Sequence, residues 1–409
     1  MAKHLWLDRP CTHALFVAQM RFGHQTPQTN HAATAFAAAA VAAGSLLVTS
    51  RLHRPANCEE SRAAPGVWVH QVGSNSPCED RHHIRQMGPG LLSAAIIDGH
   101  GGWQMAEWIS DELLPEVERR LAKKRNKAGK TVDCSGNIPS PKRVMAALEG
   151  AFNDCDKRLL QQVDRAGDAL GGFSKALRQG ACALCTVVSP THLLFANAGD
   201  CRACVIRDGK PNFVVSIHNA NQPVEQKRLR DAHPGEVDTV VCLGSDGVWT
   251  EQQMREAAEA GQLPSSCYVK DCVQPTRGFG DFYLKDSRFN WMGIVKEPLS
   301  LPYITADPEV VAVKRCPGDE VVVLGSDGLW DDLEGADVAR VVQETMANHR
   351  KEQMAPSKMA KVLAEALVDE ATAVAARACG LDKAELNEMP PGDRRRNLVD
   401  DITCVVVVL

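Results

Sequence analysis

Short apolar runs of strand length, rich in Val and Ile, recur along the chain, and aspartates stand at their ends. The runs are LLSAAIID (91–98), ACALCTVVS (181–189), HLLFANAG (192–199), ACVIRDG (203–209), DEVVVLGSDG (319–328) and ITCVVVVL (402–409). Asp98 closes the first, Asp200 follows the third, Asp327 ends EVVVLGS in the fifth, and Asp400 with Asp401 opens the last. Asp beside Gly is an ordinary turn former, which accounts for any one of these junctions. Several in separate runs are harder to account for that way. Carboxylates brought together out of water repel unless a cation neutralises them, and hard oxygen donors select Mg²⁺, Mn²⁺ or Ca²⁺ over zinc.

Between the runs the periodicity becomes helical: at Val144, Leu148, Phe152, Leu159 and Val163, around Met105 to Ile109, in DVARVVQETMANH (337–349), and in SKMAKVLAEALVDEATAVAARA (357–378). Runs of strands broken by a few long helices predict an α+β fold with helices packed outside the sheets. The segment Lys123 to Pro141 reads as a surface loop, and residues 218–276 as a longer irregular region. Cys182-Ala-Leu-Cys185 and Cys201-Arg-Ala-Cys204 have the spacing of a zinc ribbon. Residues i and i+3 of a strand face opposite ways, so each pair reads instead as small buried thiols. With no secretory signal and an odd cysteine count, 15, the expected compartment is a reducing one.

A net charge of −5 argues against a nucleic-acid binder, which needs a basic face to replace counterions. The charge is uneven: residues 1–58 carry +4 and the remainder −9. No Asp, Glu, Lys or Arg occurs between Arg21 and Arg51, and Ala32 to Val48 holds nine alanines in seventeen residues. A basic, acid-poor leader of this kind resembles an organellar transit peptide. A membrane anchor through Ala32 to Val48 and a plain disordered tail stay open, the stretch being marginal against the ~20 apolar residues of a spanning helix. Residues 1–62 are therefore set apart from a domain over 63–409, and the expected location is mitochondrial, otherwise cytoplasmic or membrane-anchored.

The motifs themselves carry a family resemblance. In order they are Glu79-Asp80 in SNSPCEDRHH, Asp98-Gly-His-Gly-Gly, Gly199-Asp200-Cys-Arg-Ala, Thr276-Arg-Gly-Phe-Gly-Asp281, Asp307-Pro-Glu-Val, Ser326-Asp-Gly-Leu-Trp-Asp331 and Asp400-Asp-Ile-Thr403. Over roughly residues 65–409 this resembles the metal-dependent Ser/Thr protein phosphatases of the type 2C (PPM) family. The EDR triplet, HNANQPVEQKRLRDAHPGE (218–236), LPYITADPEV and DDIT look most like its pyruvate dehydrogenase phosphatase branch.

The resemblance implies a central β-sandwich of two antiparallel sheets flanked by helices (α-β-β-α), with two Mg²⁺ or Mn²⁺ ions at one end. Carried over residue by residue, Asp98 bridges both ions, Glu79 and the carbonyl of Gly99 complete one, and Asp327 and Asp400 hold the other. Asp80 would bond to waters on the ions, and Asp200 and Asp331 are candidates for a third ion. The implied reaction is hydrolysis of phosphoserine and phosphothreonine in protein substrates by a water bridging the two cations. His100, beside Asp98, would act as general acid. Asp281 matches an acid that packs near the site or shapes a turn.

One position departs from the pattern. Where many relatives have a phosphate-gripping arginine, four residues before the Glu-Asp pair, this chain has Asn75, which brings no charge and no guanidinium fork. Arg81 or another arginine would have to serve, or binding leans on the metals. Cys201 replaces a common serine, small for small. VVCLGSDGVW (240–249) nearly repeats VVVLGSDGLW (321–330), but only the second follows Asp307-Pro-Glu-Val and precedes the last strand, which selects Asp327 over Asp246 as the ligand. Every expected ligand is present, which favours an active enzyme; the alternative is a catalytically weak phosphatase fold kept as a regulatory or binding module.

Overall fold

The apolar runs pair into two antiparallel sheets stacked face to face, with helices on both outer faces. The computed structural model describes residues 66–409 apart from 89, 126–130, 134–137, 171–174, 245–246, 251, 254–255, 257–265, 291–292, 298 and 353. The leader 1–62, its Ala32 to Val48 stretch and Asp246 thus lie outside the described residues. Among the described residues no helix is long and apolar enough to cross a membrane.

The first sheet has the order β1 (Val67–Val72), β16 (Ile402–Val408), β15 (Asp319–Gly325), β8 (Arg202–Arg207), β9 (Lys210–Phe213). The second runs β14 (Glu309–Lys314), β7 (His192–Ala198), β6 (Gly180–Val188), β3 (Leu92–His100), β2 (Arg81–Gln86). The short β13 (Phe279–Gly280) pairs with β6 at Gly180 and Ala181, where β7 does not reach.

Continuous apolar sequence, rather than alternation, follows from burial on both faces. One side of β3 and β6 sends Ala94, Ile96, Cys182 and Leu184 between the sheets, against Val322, Leu324, Val405 and Val407. The other side sends Ala95, Ile97, Ala183 and Cys185 against α1 (Gln104–Ala122) and α2 (Pro141–Leu170). Across the molecule, Cys204, Ile206, Val323 and Val406 pack under α5 (Gly335–Asn348) and α6 (Pro356–Ala378). The layers are therefore α-β-β-α.

The same alternation settles the paired cysteines. Cys182 and Cys201 lie between the sheets, whereas Cys185 and Cys204 lie on outer faces. Burial pushes the Cys185 thiol up to about 12 and the Cys204 thiol up to about 11, as for inert core side chains.

Two expectations need correction. Residues 218–276 are not wholly irregular: they contain α3 (Pro223–Ala232) and a small sheet β11 (Gly247–Trp249), β10 (Val240–Gly244), β12 (Ser266–Val269). A disulfide joins Cys242 and Cys267, which stand directly opposite in the β10–β12 ladder. The helix hides from a periodicity search because it buries only Glu225 and Leu229, and the strands are too short to show a period. Lys123 to Pro141 likewise holds a hairpin, β4 (Lys123–Arg125) with β5 (Thr131–Asp133).

Because Ile96 is fully buried between the sheets, Ile96→Ala should cost ~2–5 kcal/mol of unfolding free energy in urea titrations. Val224→Ala, on a side chain 78% exposed, should stay within ~0.5 kcal/mol. Equal losses at the two positions would contradict the layer assignment.

Candidate metal centre

Both sheets deliver acids to one end of the sandwich. Asp98 lies near the end of β3, Asp200 sits between β7 and β8, Asp327 opens the short helix α4 (Asp327–Trp330) after β15, and Asp400 precedes β16. Asp98, Asp200 and Asp327 bring carboxylate oxygens within 4.8 Å of one another. The Asp327 N–H donates to Asp98 Oδ2 at 3.4 Å, so the backbone of one sheet's connection bonds an acid of the other. Asp200 Oδ2 accepts from Asn219 Nδ2 at 2.8 Å.

The β1–β2 loop is fastened to the start of β16. Asp401 Oδ1 accepts from the Ser74 and Asn75 N–H groups at 2.5 and 2.8 Å, and Oδ2 from Glu79 N–H and Asn75 Nδ2 at 2.7 and 3.0 Å. Asp80 Oδ2 accepts from the Thr403 hydroxyl at 2.6 Å. Glu79 is thereby carried to the mouth of a cleft of about 250 Å³, lined also by Asn75, Trp103, Gln179 and Asp393. Gly99 is required by close approach: a Cβ there would meet the Glu79 carbonyl at 2.6 Å.

Proton affinity divides these acids. Burial raises Asp98 far above the carboxylate range, and Asp327, Asp80, Asp200 and Asp400 add to it. Burial and Asp200 push Asp327 up to about 7, and burial and Asp327 push Asp400 up to about 7. Asp331, one turn after Asp327, is pushed up to about 6 by burial and Asp400. Glu79 is raised by burial and Asp401, and Asp80 by burial. For Asp401 burial also acts upward, but the four donors outweigh it and hold the group below its usual value. Arg396 Nη2 stands 2.7 Å from Asp400 Oδ2.

His100 closes the site on the other side. Its Nε2 lies 2.7 Å from Asp281 Oδ2, a carboxylate 1% exposed, on a residue in the left-handed region at φ 48°. Burial pushes the imidazole down, yet the Asp281 charge and bond push it up and prevail. Gly180 forms the floor, since a Cβ there would meet Asp281 Oδ2 at 2.1 Å and His100 Nε2 at 2.3 Å. Asp281 is therefore the partner of His100 as well as a turn residue.

The expected site residues Glu79, Asp80, Asp98, Gly99, His100, Asp200, Asp327, Asp331 and Asp400 thus gather at one end. Asp80 is engaged by Thr403, and Asp200 rather than Asp400 completes the tightest group. Arg81 does not face the acids: it pairs with Glu107, donates to the carbonyls of Cys78 and Asp80 at 2.8 and 2.7 Å, and lies over Trp103. The sequence places Asp401 beside Asp400 at the opening of the last run but assigns it no role, and it assigns none to Arg396. The signal for Asp401 was its place after Asp400 in an extended segment, where neighbours face opposite ways; for Arg396 there was only a surface-like DRRR string.

An all-oxygen donor set with raised proton affinity fits a hard divalent cation. Without cations, the folded state holds protons on Asp327 and Asp400 more tightly than the unfolded chain. Their contribution to stability is full below the unfolded value of ~4 and is lost as pH rises through the folded value. Cations compete for the same oxygens, so the rise in Tm on adding saturating Mg²⁺ should be small at about pH 5 and grow by about pH 8. Scanning calorimetry reading an equal rise at both, or none, would contradict a metal site here.

A family model described as Protein phosphatase 2C matches residues 72–379, a span that takes in the acids from Glu79 to Asp331 and His100. Probable protein phosphatase 2C 67 of Arabidopsis thaliana is 26% identical over 355 residues, covering 83% of this chain and 81% of its own. Probable protein phosphatase 1N of Mus musculus is 30% identical over 310 residues, 74% of this chain and 62% of its own. In fold, the serine-threonine phosphatase 2C from Toxoplasma gondii superposes with a TM-score of 0.50 at 17% identity, over 84% of this chain and 94% of that one. A C. elegans sex determining protein gives a TM-score of 0.52 at 14% identity, over 85% and 65%. With the family match extending over most of the sandwich and its acids, the chain belongs to the protein phosphatase 2C family.

Proposed function

We propose that this chain hydrolyses phosphoserine and phosphothreonine in proteins, using two Mg²⁺ or Mn²⁺ ions held by Asp98, Asp327, Asp400, Glu79 and the Gly99 carbonyl. Asp200 and Asp331 would serve a third. The observation that carries the reading is the convergence of Asp98, Asp200 and Asp327 oxygens within 4.8 Å, drawn from both sheets. When bound, two such cations offset charge on the phosphoryl oxygens and acidify a water for in-line attack. The chain's own work is to hold the acids apart in role. Asp401 and Thr403 fix the loop that carries Glu79, while Asp281 orients His100 through Nε2 and leaves Nδ1 to give a proton to the departing serine or threonine oxygen. Such a transfer contributes ~10²–10⁴-fold. The intact set of acids and the oriented imidazole support an enzyme over a binding-only module.

Asp98→Ala should abolish hydrolysis of p-nitrophenyl phosphate and phosphothreonine peptides while circular dichroism stays native, and exhaustive EDTA treatment should do the same to the wild type. Asp327→Asn should lower turnover by at least ~10²-fold. Asp246→Asn, in the near-repeat at 240–249, should leave it within a few-fold. Equal damage from the two asparagine variants would require the ligand set to be redrawn.

The LPYITADPEV and DDIT segments further support a place near the pyruvate dehydrogenase phosphatase branch, and the +4 leader supports a mitochondrial destination. Residues 1–62 fused to a fluorescent reporter should then carry it to mitochondria. An even cytosolic signal would remove both the transit-peptide reading and the location.

A further inference from the structure

We propose that Arg396 grips the substrate phosphoryl group, supplying the guanidinium that Asn75 cannot. This rests on the reading of the acid cluster as a metal-dependent phosphatase centre. A phosphate dianion approaching that many carboxylates needs positive charge beyond the cations. Among the described residues, Arg396 makes the Lys or Arg ion pair that reaches an acid of the cluster, Nη2 to Asp400 Oδ2 at 2.7 Å. Its charge is felt at Asp400, Asp327, Asp401 and Asp98.

Three other candidates are committed elsewhere. The Asn75 amide donates to Asp401, the Arg81 guanidinium pairs with Glu107 and two carbonyls, and Arg395 is 3% exposed with its nitrogens on Ser74 Oγ, Leu386 O and Met389 O. The Arg395 bond to Ser74 Oγ, with Gly392 N–H donating to Ser74 O at 2.8 Å, pins the short helix α7 (Asp393–Arg396) to the β1–β2 loop. Gly392 and Asp393 line the cleft, while Arg396 at the other end of the helix reaches Asp400. The helix therefore runs from the cleft to the acids. Its last side chain is 44% exposed, so it stands between an acid and solvent. A guanidinium has five donors in a planar fork, enough to keep one on Asp400 and present others to phosphoryl oxygens.

The test is calorimetric titration of the full chain and its Arg396→Ala and Arg396→Lys variants, first with Mn²⁺ and then with inorganic phosphate at saturating Mn²⁺. Removing the guanidinium should weaken phosphate binding by about 10- to 100-fold, the scale of a hydrogen bond between charged groups, without weakening Mn²⁺ binding. Lysine, a point charge without the fork, should recover only part of the loss. Unchanged phosphate affinity in both variants would overturn the assignment, and with tighter Mn²⁺ binding would make Arg396 merely a counter-charge to Asp400. Wild-type protein that binds Mn²⁺ but not phosphate would overturn this proposal alone; failure to bind Mn²⁺ would defeat the metal-centre reading together with it.

Discussion

Repulsion among carboxylates held out of water is the constraint around which the rest of the molecule is arranged. Asp80 is 2% exposed and Asp98 lies beside Asp200 and Asp327. Left alone, such a group would take up protons or come apart. The fold meets the problem differently at each acid: a hydroxyl from Thr403 at Asp80, a guanidinium from Arg396 at Asp400, backbone donors at Asp401. What remains unneutralised, at Asp98 and Asp327, is a pull on protons or cations.

The clearest division of roles is between two neighbours in sequence. Asp400 and Asp401 are the same side chain on consecutive residues, yet one is pushed up to about 7 and the other is held below its usual value. Asp401 collects four donors from the β1–β2 loop, whereas Asp400 meets only its neighbour's N–H and the Arg396 guanidinium. Asp401 is thus fixed as an acceptor that ties a loop, and Asp400 is left with capacity for a cation. His100 and Asp281 make a second such arrangement, with Gly180 leaving room for the buried carboxylate to reach the ring.

Much of the fold was legible because burial on both faces writes itself as unbroken Val, Ile and Ala runs, and the long helices α2, α5 and α6 carry a clear apolar stripe. The first acids were legible because each ends a strand. Contacts made by polar groups across hundreds of residues left no local trace: Asp401 with Ser74, Thr403 with Asp80, Arg396 as a charged residue in an arginine triplet. The small sheet was missed for another reason. Its strands of three to five residues hold together through the Cys242–Cys267 bridge and through α3, neither of which a periodicity can express.

The position of β16 has a consequence for how the protein is made. Ile402–Val408 is the last strand in sequence but lies inside its sheet, bonded to β1 on one side and to β15 on the other. A growing chain on the ribosome can complete the second sheet and its helices while the first still has a gap, its opening strand unpaired and apolar. The Asp80 carboxylate and the Asn75 and Glu79 N–H groups lack these partners until residues 401 and 403 arrive. Pairings of such sequence separation form slowly, and an unpaired apolar edge is prone to aggregate meanwhile. A chain that lacks β16 would therefore keep the other strands and helices but present a sandwich open along its middle, a substrate for chaperones and proteases.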